Sequence, residues 1–189
     1  MEESDMNIRD ATKAMHDKVE ETPFAIKLMS GKLSKQEYFN YLKVQRHIFS
    51  DMEYRWNYDI LNGLARTTKI DADIDEMLRG DQPLENNNFD ATLAVELTQY
   101  CSFMGIVRDP ATNLYTKDYE YANIYLNYMG LMFGGGIASK LGYTTEGNIY
   151  NFESRNELIR YIRSLDVNAD IVNEAFQYHI NIFEALDNQ

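Results

Sequence analysis

The chain has 189 residues, of which 44% are hydrophobic and 13% aromatic, so it can bury a core and is not intrinsically disordered. Its formal net charge of −12 argues against nucleic acid and anionic membrane surfaces as partners, and its one cysteine, Cys101, excludes an internal disulfide and multi-cysteine metal sites. The chain has no run of about 18 apolar residues that would predict a membrane span, and its acidic N-terminus is unlike a signal peptide. We therefore expect a cytoplasmic protein with one domain over residues 1–189.

Apolar residues recur at three- and four-residue spacing along most of the chain, and only three prolines interrupt it. This pattern predicts an all-α protein. Ser34 and Glu37 form a capping box at the start of the second helix. Turns are predicted at 81–89 and 108–113. The predicted helices, in chain order, cover residues 5–21, 34–63, 70–79, 88–105, 116–141, 151–165 and 168–187.

The segment 125–140 is apolar with helical spacing but contains four glycines: Gly130, Gly134, Gly135 and Gly136. In a helix interior each glycine costs about 1 kcal/mol relative to alanine, so another interaction should compensate. A glycine cluster allows a helix to bend and lets a flat or bulky group reach the main chain. A helix that ends at Gly134 before a loop is the alternative, but apolar spacing resumes after residue 136, which favours one kinked helix.

The first predicted helix places four polar side chains along one edge of its apolar stripe, at Arg9, Lys13, His16 and Glu20. His16 could coordinate a metal through one ring nitrogen while Glu20, one turn away, accepts the proton on the other. Arg9 and Lys13 are spaced to pair with carboxylates on the same ligand. The alternative is a half-buried histidine beside a solvated charged edge.

The three histidines do not form a zinc or di-iron site. No glutamate stands three residues before His47 or His179, and the chain lacks a His-Glu-x-x-His motif. A metal held inside an organic macrocycle needs only one axial side chain from the protein. One histidine, neighbouring cations and a glycine-kinked helix together fit a haem bound between two helices.

Four stretches of the chain resemble the haem oxygenase family: residues 8–24 its proximal helix, 39–53 the next helix, 125–135 its distal Tyr-x-Arg-Tyr-x-Gly-Asp-x-x-Gly-Gly motif, and 175–186 its terminal helix. The resemblance implies an all-α bundle that holds haem between a proximal and a glycine-kinked distal helix. It also implies oxidative cleavage of haem to biliverdin, carbon monoxide and iron. That reaction uses dioxygen and reducing equivalents from an external donor protein, a ferredoxin or a reductase.

The resemblance also implies roles for individual residues. His16 becomes the axial iron ligand and Glu20 its partner, while Gly130 and Gly134 face the distal side of the macrocycle. Further haem-binding positions follow at Arg9, Lys13, Tyr125, Gly135, Arg155, Phe176 and Phe183.

The chain departs from the family pattern where the family keeps its distal polar network. The family's aspartate, which orders a proton-donating water, is Leu131 here, its arginine is Asn127, and a tyrosine on the second helix is Phe49. Because half-satisfied buried networks are costly, we expect the network to be replaced as a whole, with Asn127 and His179 as candidate distal groups. The alternative for His179 is a hydrogen-bonded core histidine. The alternative function is a non-catalytic haem-binding or haem-sensing protein of the same fold.

Overall fold

The computed structural model describes residues 2–55, 63–81, 83–105, 117–145 and 147–189, and every regular element within these ranges is helical. The all-α prediction is confirmed. A 3₁₀ turn at Asn148–Tyr150 precedes the eighth of the described α-helices. The α-helices of the described residues are α1 (Glu2–Glu20), α2 (Pro23–Ser30), α3 (Lys35–Arg55), α4 (Thr67–Leu78), α5 (Ala91–Met104), α6 (Lys117–Phe133), α7 (Gly135–Leu141), α8 (Arg155–Arg163) and α9 (Ala169–Asp187).

Helix α9 lies at the centre of the bundle and packs against α1, α2, α3, α5 and α6. Its sequence has apolar residues at helical spacing on more than one face, so side chains of α9 are buried against several neighbouring helices at once. The buried side chains of α9 include Val172, Ala175 and Phe183. The side chain of Asn168 caps its first turn by accepting hydrogen bonds from two backbone N–H groups. Five of the other helices are therefore positioned by their packing against one helix.

One predicted helix lies only partly within the described residues. The predicted helix 34–63 corresponds to α3, which is described from Lys35 to Arg55, and Gly63 has a left-handed φ of +97° that ends any helical conformation there. Residues 56–62 of that prediction and the predicted turn at 108–113 lie outside the described residues.

The sequence did not predict α2, because Pro23 suggested a break between helices. Proline fits the first turn of a helix, where its missing N–H would have no intrahelical partner. The Thr22 hydroxyl supplies the N-cap by accepting a hydrogen bond from Ala25 N at 3.3 Å, and Gly31 ends the helix with a φ of +70°. This short helix carries Phe24 into the core, where its ring packs against Phe183 of α9 at 5.3 Å.

The glycine-rich segment forms two helices separated by one residue rather than one kinked helix. Gly134 N still donates to the carbonyls of Gly130 and Leu131, both at 3.1 Å, while Gly134 O accepts from Ile137 N as α7 begins. A Cβ at Gly134 would lie 2.9 Å from Cε1 of Tyr150. The flat group that touches the main chain at Gly134 is therefore the ring of Tyr150, from the 3₁₀ turn.

Gly134→Ala should lower the free energy of unfolding by about 1–3 kcal/mol, since the new methyl group must displace the Tyr150 ring in a packed interior. Gly136→Ala is the matched control, because a Cβ there meets nothing within 4 Å. That variant should be neutral or gain up to about 1 kcal/mol from helix propensity. Urea unfolding followed by circular dichroism measures both, and equal stabilities of the two variants would contradict the contact with Tyr150.

Candidate functional site

His16 lies on α1 with an accessible imidazole beside the central helix. Its side chain is 53% exposed, with Nε2 at 3.8 Å from Glu20 Oε1 and Nδ1 at 4.0 Å from Asp17 Oδ1. Both distances exceed a hydrogen bond, so neither ring nitrogen is committed to a carboxylate. Phe176 of α9 packs edge-on against the imidazole, with ring centroids 5.7 Å apart. Glu20 and Phe176 both lie close to His16, but Glu20 does not accept a hydrogen bond from the imidazole in this structure, so the predicted pairing of His16 with Glu20 stays a prediction.

The cations of α1 lie on the same edge as His16. Arg9 is exposed, and Lys13 contacts Asp17 one turn along the helix. An exposed ion pair of this kind contributes between 0 and about 1 kcal/mol, so Lys13 can exchange Asp17 for a ligand carboxylate at little cost. His16, Asp17 and Glu20 place their ligand atoms within 4.8 Å of one another, which makes the edge a mixed site of one imidazole and two carboxylates.

Helix α6 carries the predicted distal positions. Gly130 is exposed, and a Cβ there would meet nothing within 4 Å, so the main chain faces open space at this point. Leu131 is buried, and Phe49 of α3 is buried against the Tyr128 ring at 5.1 Å. Two of the three positions where the chain departs from the family pattern are therefore occupied by apolar packing.

The other predicted contacts are distributed around these helices. Arg155 begins α8 and donates from Nε to the carbonyl of Met132 at 2.9 Å, which ties α8 to the end of α6. Tyr125 is half-buried on α6 and Gly135 begins α7. Phe183 is buried and belongs to the core through its contact with Phe24. Their roles toward haem stay predictions.

His179 is half-buried, and its Nε2 atom is shielded from water without a hydrogen-bond partner among the described residues. Its ring stands edge-on to Tyr100, with centroids 5.0 Å apart. Burial lowers the pKa of His179 to about 4, because the surroundings disfavour the charged imidazolium. Because no described residue hydrogen-bonds to Nε2, the hydrogen-bonded core histidine that the sequence left open has no support at that atom, and the role of His179 stays a prediction.

Sequence reasoning missed two members of a buried polar chain. Tyr100 of α5 donates to Asn123 Oδ1 and accepts from Asn127 Nδ2, both at 2.8 Å. All three side chains are buried. The available signal was the pair Asn123 and Asn127, one turn apart in an otherwise apolar stripe of α6, which predicts a buried polar partner on another helix.

The structure thus has an all-α bundle with an accessible histidine on its first helix and a glycine break between α6 and α7, which are the features from which the sequence predicted a haem site. The heme oxygenase family model matches residues 4–185, so the chain belongs to the haem oxygenase family.

Two solved structures share the fold at low sequence identity. Haem oxygenase-1 of the cyanobacterium Synechocystis, solved in complex with haem, is 17% identical and has a TM-score of 0.72, with 98% of this chain and 92% of that chain covered. The haem oxygenase of Leptospira interrogans is 19% identical with a TM-score of 0.73, over 96% of this chain and 98% of that one. No curated protein sequence matches the chain.

Within the described ranges no helix has the length and apolar character to cross a membrane.

The residues of the site fit haem on structural grounds. A haem iron needs one neutral axial nitrogen, which the uncommitted imidazole of His16 can supply. Its propionates need cations, which Arg9 and Lys13 place on the same edge. The open space at Gly130 allows close approach to the main chain of α6.

Replacing the imidazole of His179 should change how the free energy of unfolding depends on pH. The pKa of His179 falls from 6.5 to about 4 on folding, so the unfolded chain binds the proton first as the pH drops. Between pH 6.5 and pH 4 the wild type should lose up to about 3 kcal/mol of stability that His179→Asn retains. Urea unfolding of both proteins across this range measures the difference.

His47→Asn is the matched control, because it makes the same change at an exposed histidine of α3. It should follow the wild-type pH profile. If His179→Asn follows it too, the imidazole of His179 is hydrated in the folded state.

Proposed function

We propose that the protein is a haem oxygenase that cleaves haem oxidatively to biliverdin, carbon monoxide and iron, using dioxygen and electrons from an external donor protein. The observation that carries the proposal is the uncommitted His16 imidazole, placed between Phe176 and two carboxylates on the edge that also bears Arg9 and Lys13. Membership of the haem oxygenase family supports it.

The proximal residues would bind and orient haem. His16 would be the axial ligand, and Glu20 is near enough to accept the proton of the other ring nitrogen after a small rotation, which would fix the tautomer of the imidazole. Arg9 and Lys13, with Tyr125 and Arg155 from α6 and α8, would hold the propionates. Phe176 limits the orientation of the imidazole ring through its edge contact.

The distal residues would exclude water and place the macrocycle. When bound, haem supplies the redox-active iron and is itself the molecule that is oxidised. The main chain at Gly130 would form a close wall over it, while the buried Leu131 and Phe49 keep bulk water out. Asn127 and His179 are the polar side chains that would hold or move protons there. Asn127 is buried and hydrogen-bonded, and His179 is neutral because burial lowers its pKa.

A second candidate function is haem binding or sensing without cleavage. The observation that favours it is the apolar packing of Leu131 and Phe49 at two positions where the family has polar side chains. A carrier needs the proximal edge and a dry pocket but no distal proton supply.

His16→Ala should weaken hemin binding by about tenfold or more and change the Soret band, because the axial nitrogen is lost. His47→Ala is the matched control at an exposed histidine of α3 and should bind hemin as the wild type does. Hemin titration followed by absorbance measures both variants. Equal spectra and affinities for all three proteins would contradict the axial assignment.

Turnover separates the two functions. With a reductase or ascorbate under air, a haem oxygenase replaces the Soret band by biliverdin absorption and releases carbon monoxide. A persistent ferrous haem complex, without bilin or carbon monoxide, would instead identify a binding or sensing protein.

Gly130→Ala tests the distal wall. The added methyl group meets nothing within 4 Å in the described structure, so the haem-free variant should be as stable as the wild type or up to about 1 kcal/mol more stable. Haem packed against this main chain would meet the methyl group, and its affinity should fall by about tenfold. Unchanged affinity would place haem elsewhere on the bundle.

A further inference from the structure

Three buried side chains link α5 to α6 by hydrogen bonds with a defined direction. Asn127 Nδ2 donates to Tyr100 Oη at 2.8 Å and to the main-chain carbonyl of Asn123 at 2.9 Å. Tyr100 Oη donates to Asn123 Oδ1 at 2.8 Å. Asn123 Nδ2 donates to the main-chain carbonyl of Tyr119, also at 2.8 Å.

The chemistry of the groups fixes which end of each amide faces which neighbour. A main-chain carbonyl only accepts, so the –NH₂ group of Asn123 must face Tyr119 O, and that of Asn127 must face Asn123 O. Asn123 Oδ1 is then an acceptor and takes the Tyr100 proton. Burial raises the pKa of the Tyr100 hydroxyl, so it keeps this proton at any physiological pH. The lone pair of Tyr100 is left to accept from Asn127.

One atom of the chain of hydrogen bonds has no partner. Both amide protons of Asn127 are used, and its Oδ1 is shielded from water without a hydrogen bond among the described residues. Asn127 itself is only 5% exposed. An unsatisfied buried acceptor costs about 1–3 kcal/mol, which a donor on a bound molecule would recover.

The position of Asn127 relates this acceptor to the haem site. Residues one turn apart share a face of a helix, and Gly130, with open space in place of a Cβ, lies one turn beyond Asn127 on α6. The same face continues through the buried Leu131.

We propose that Tyr100 is a positioning residue that holds Asn127 with its amide oxygen toward the distal side of haem, so that the site favours iron ligands that carry a proton over proton-free anions. The inference rests on the proposed function, because it places haem beside α6. A ligand such as water or hydroxide donates to Asn127 Oδ1, whereas fluoride offers only lone pairs and is repelled by that oxygen.

The first experiment uses the haem-free protein. In the wild type the side-chain amide protons of Asn127 should exchange slowly with solvent and be resolved by NMR, since both are hydrogen-bonded and buried. Tyr100→Phe removes one acceptor, so one of these protons should lose its hydrogen-bonded shift. Tyr178→Phe is the matched control: it deletes the hydroxyl of a ring 5.8 Å from Tyr100 whose hydroxyl is not in the network. Identical amide signals in wild type and Tyr100→Phe would overturn the positioning role.

The second experiment titrates fluoride into the ferric haem complex of each protein. Tyr100→Phe frees an amide proton of Asn127 to bind the anion, and a hydrogen bond to a charged group should tighten fluoride binding by about tenfold. Tyr178→Phe should bind fluoride as the wild type does. The double variant Tyr100→Phe/Asn127→Leu has no amide to reorient and should lose the gain.

The outcomes separate the inference from the proposed function. Proteins that do not bind hemin overturn the proposed function and the haem-facing role, while the amide signals still decide whether Tyr100 fixes Asn127. Hemin complexes in which Tyr100→Phe binds fluoride with wild-type affinity overturn the inference and leave the proposed function standing. A gain that survives in the double variant overturns it as well, because another donor would then be responsible.

Discussion

The burial of α9 against five other helices is the constraint on which both sides of the site depend. Along one helix, Phe176 limits the rotation of His16, His179 packs edge-on against Tyr100, and Phe183 anchors α2 through Phe24. The His16 imidazole and the buried polar chain are therefore in contact with the same helix. A change in the rotation of α9 would alter both together.

Local features could be predicted from the sequence because they depend on spacing within one helix. The all-α architecture follows from the apolar repeat, and the line of Arg9, Lys13, His16 and Glu20 follows from the helical pitch. The contact between Tyr100 and Asn127 joins two helices, and no local pattern specifies which buried tyrosine an asparagine will meet. The glycines predicted a flat neighbour, and the family resemblance gave haem as that neighbour at Gly130 and Gly134; at Gly134 the structure instead has the ring of Tyr150.

At the positions where the chain departs from the family pattern, the side chains carry no charge, and only some of them are polar. Leu131 and Phe49 are packed as core residues, Asn127 carries a neutral amide where the family has an arginine, and burial lowers the pKa of the His179 imidazole, which therefore stays neutral. Neutral groups in a dry site avoid the large desolvation cost of a buried charge. In the proposed arrangement, the distal side would use the direction of hydrogen bonds rather than net charge, which would make it sensitive to the orientation of a single amide.

The contact between Gly134 and Tyr150 also constrains how this sequence can diverge. A side chain larger than hydrogen at position 134 fits only if the ring at position 150 becomes smaller or moves away, because the two groups share one space. The two positions should therefore vary together among relatives that keep this helix break. Relatives with a larger residue at position 134 and a smaller one at position 150 would keep the same helix break with a different packing of these two side chains.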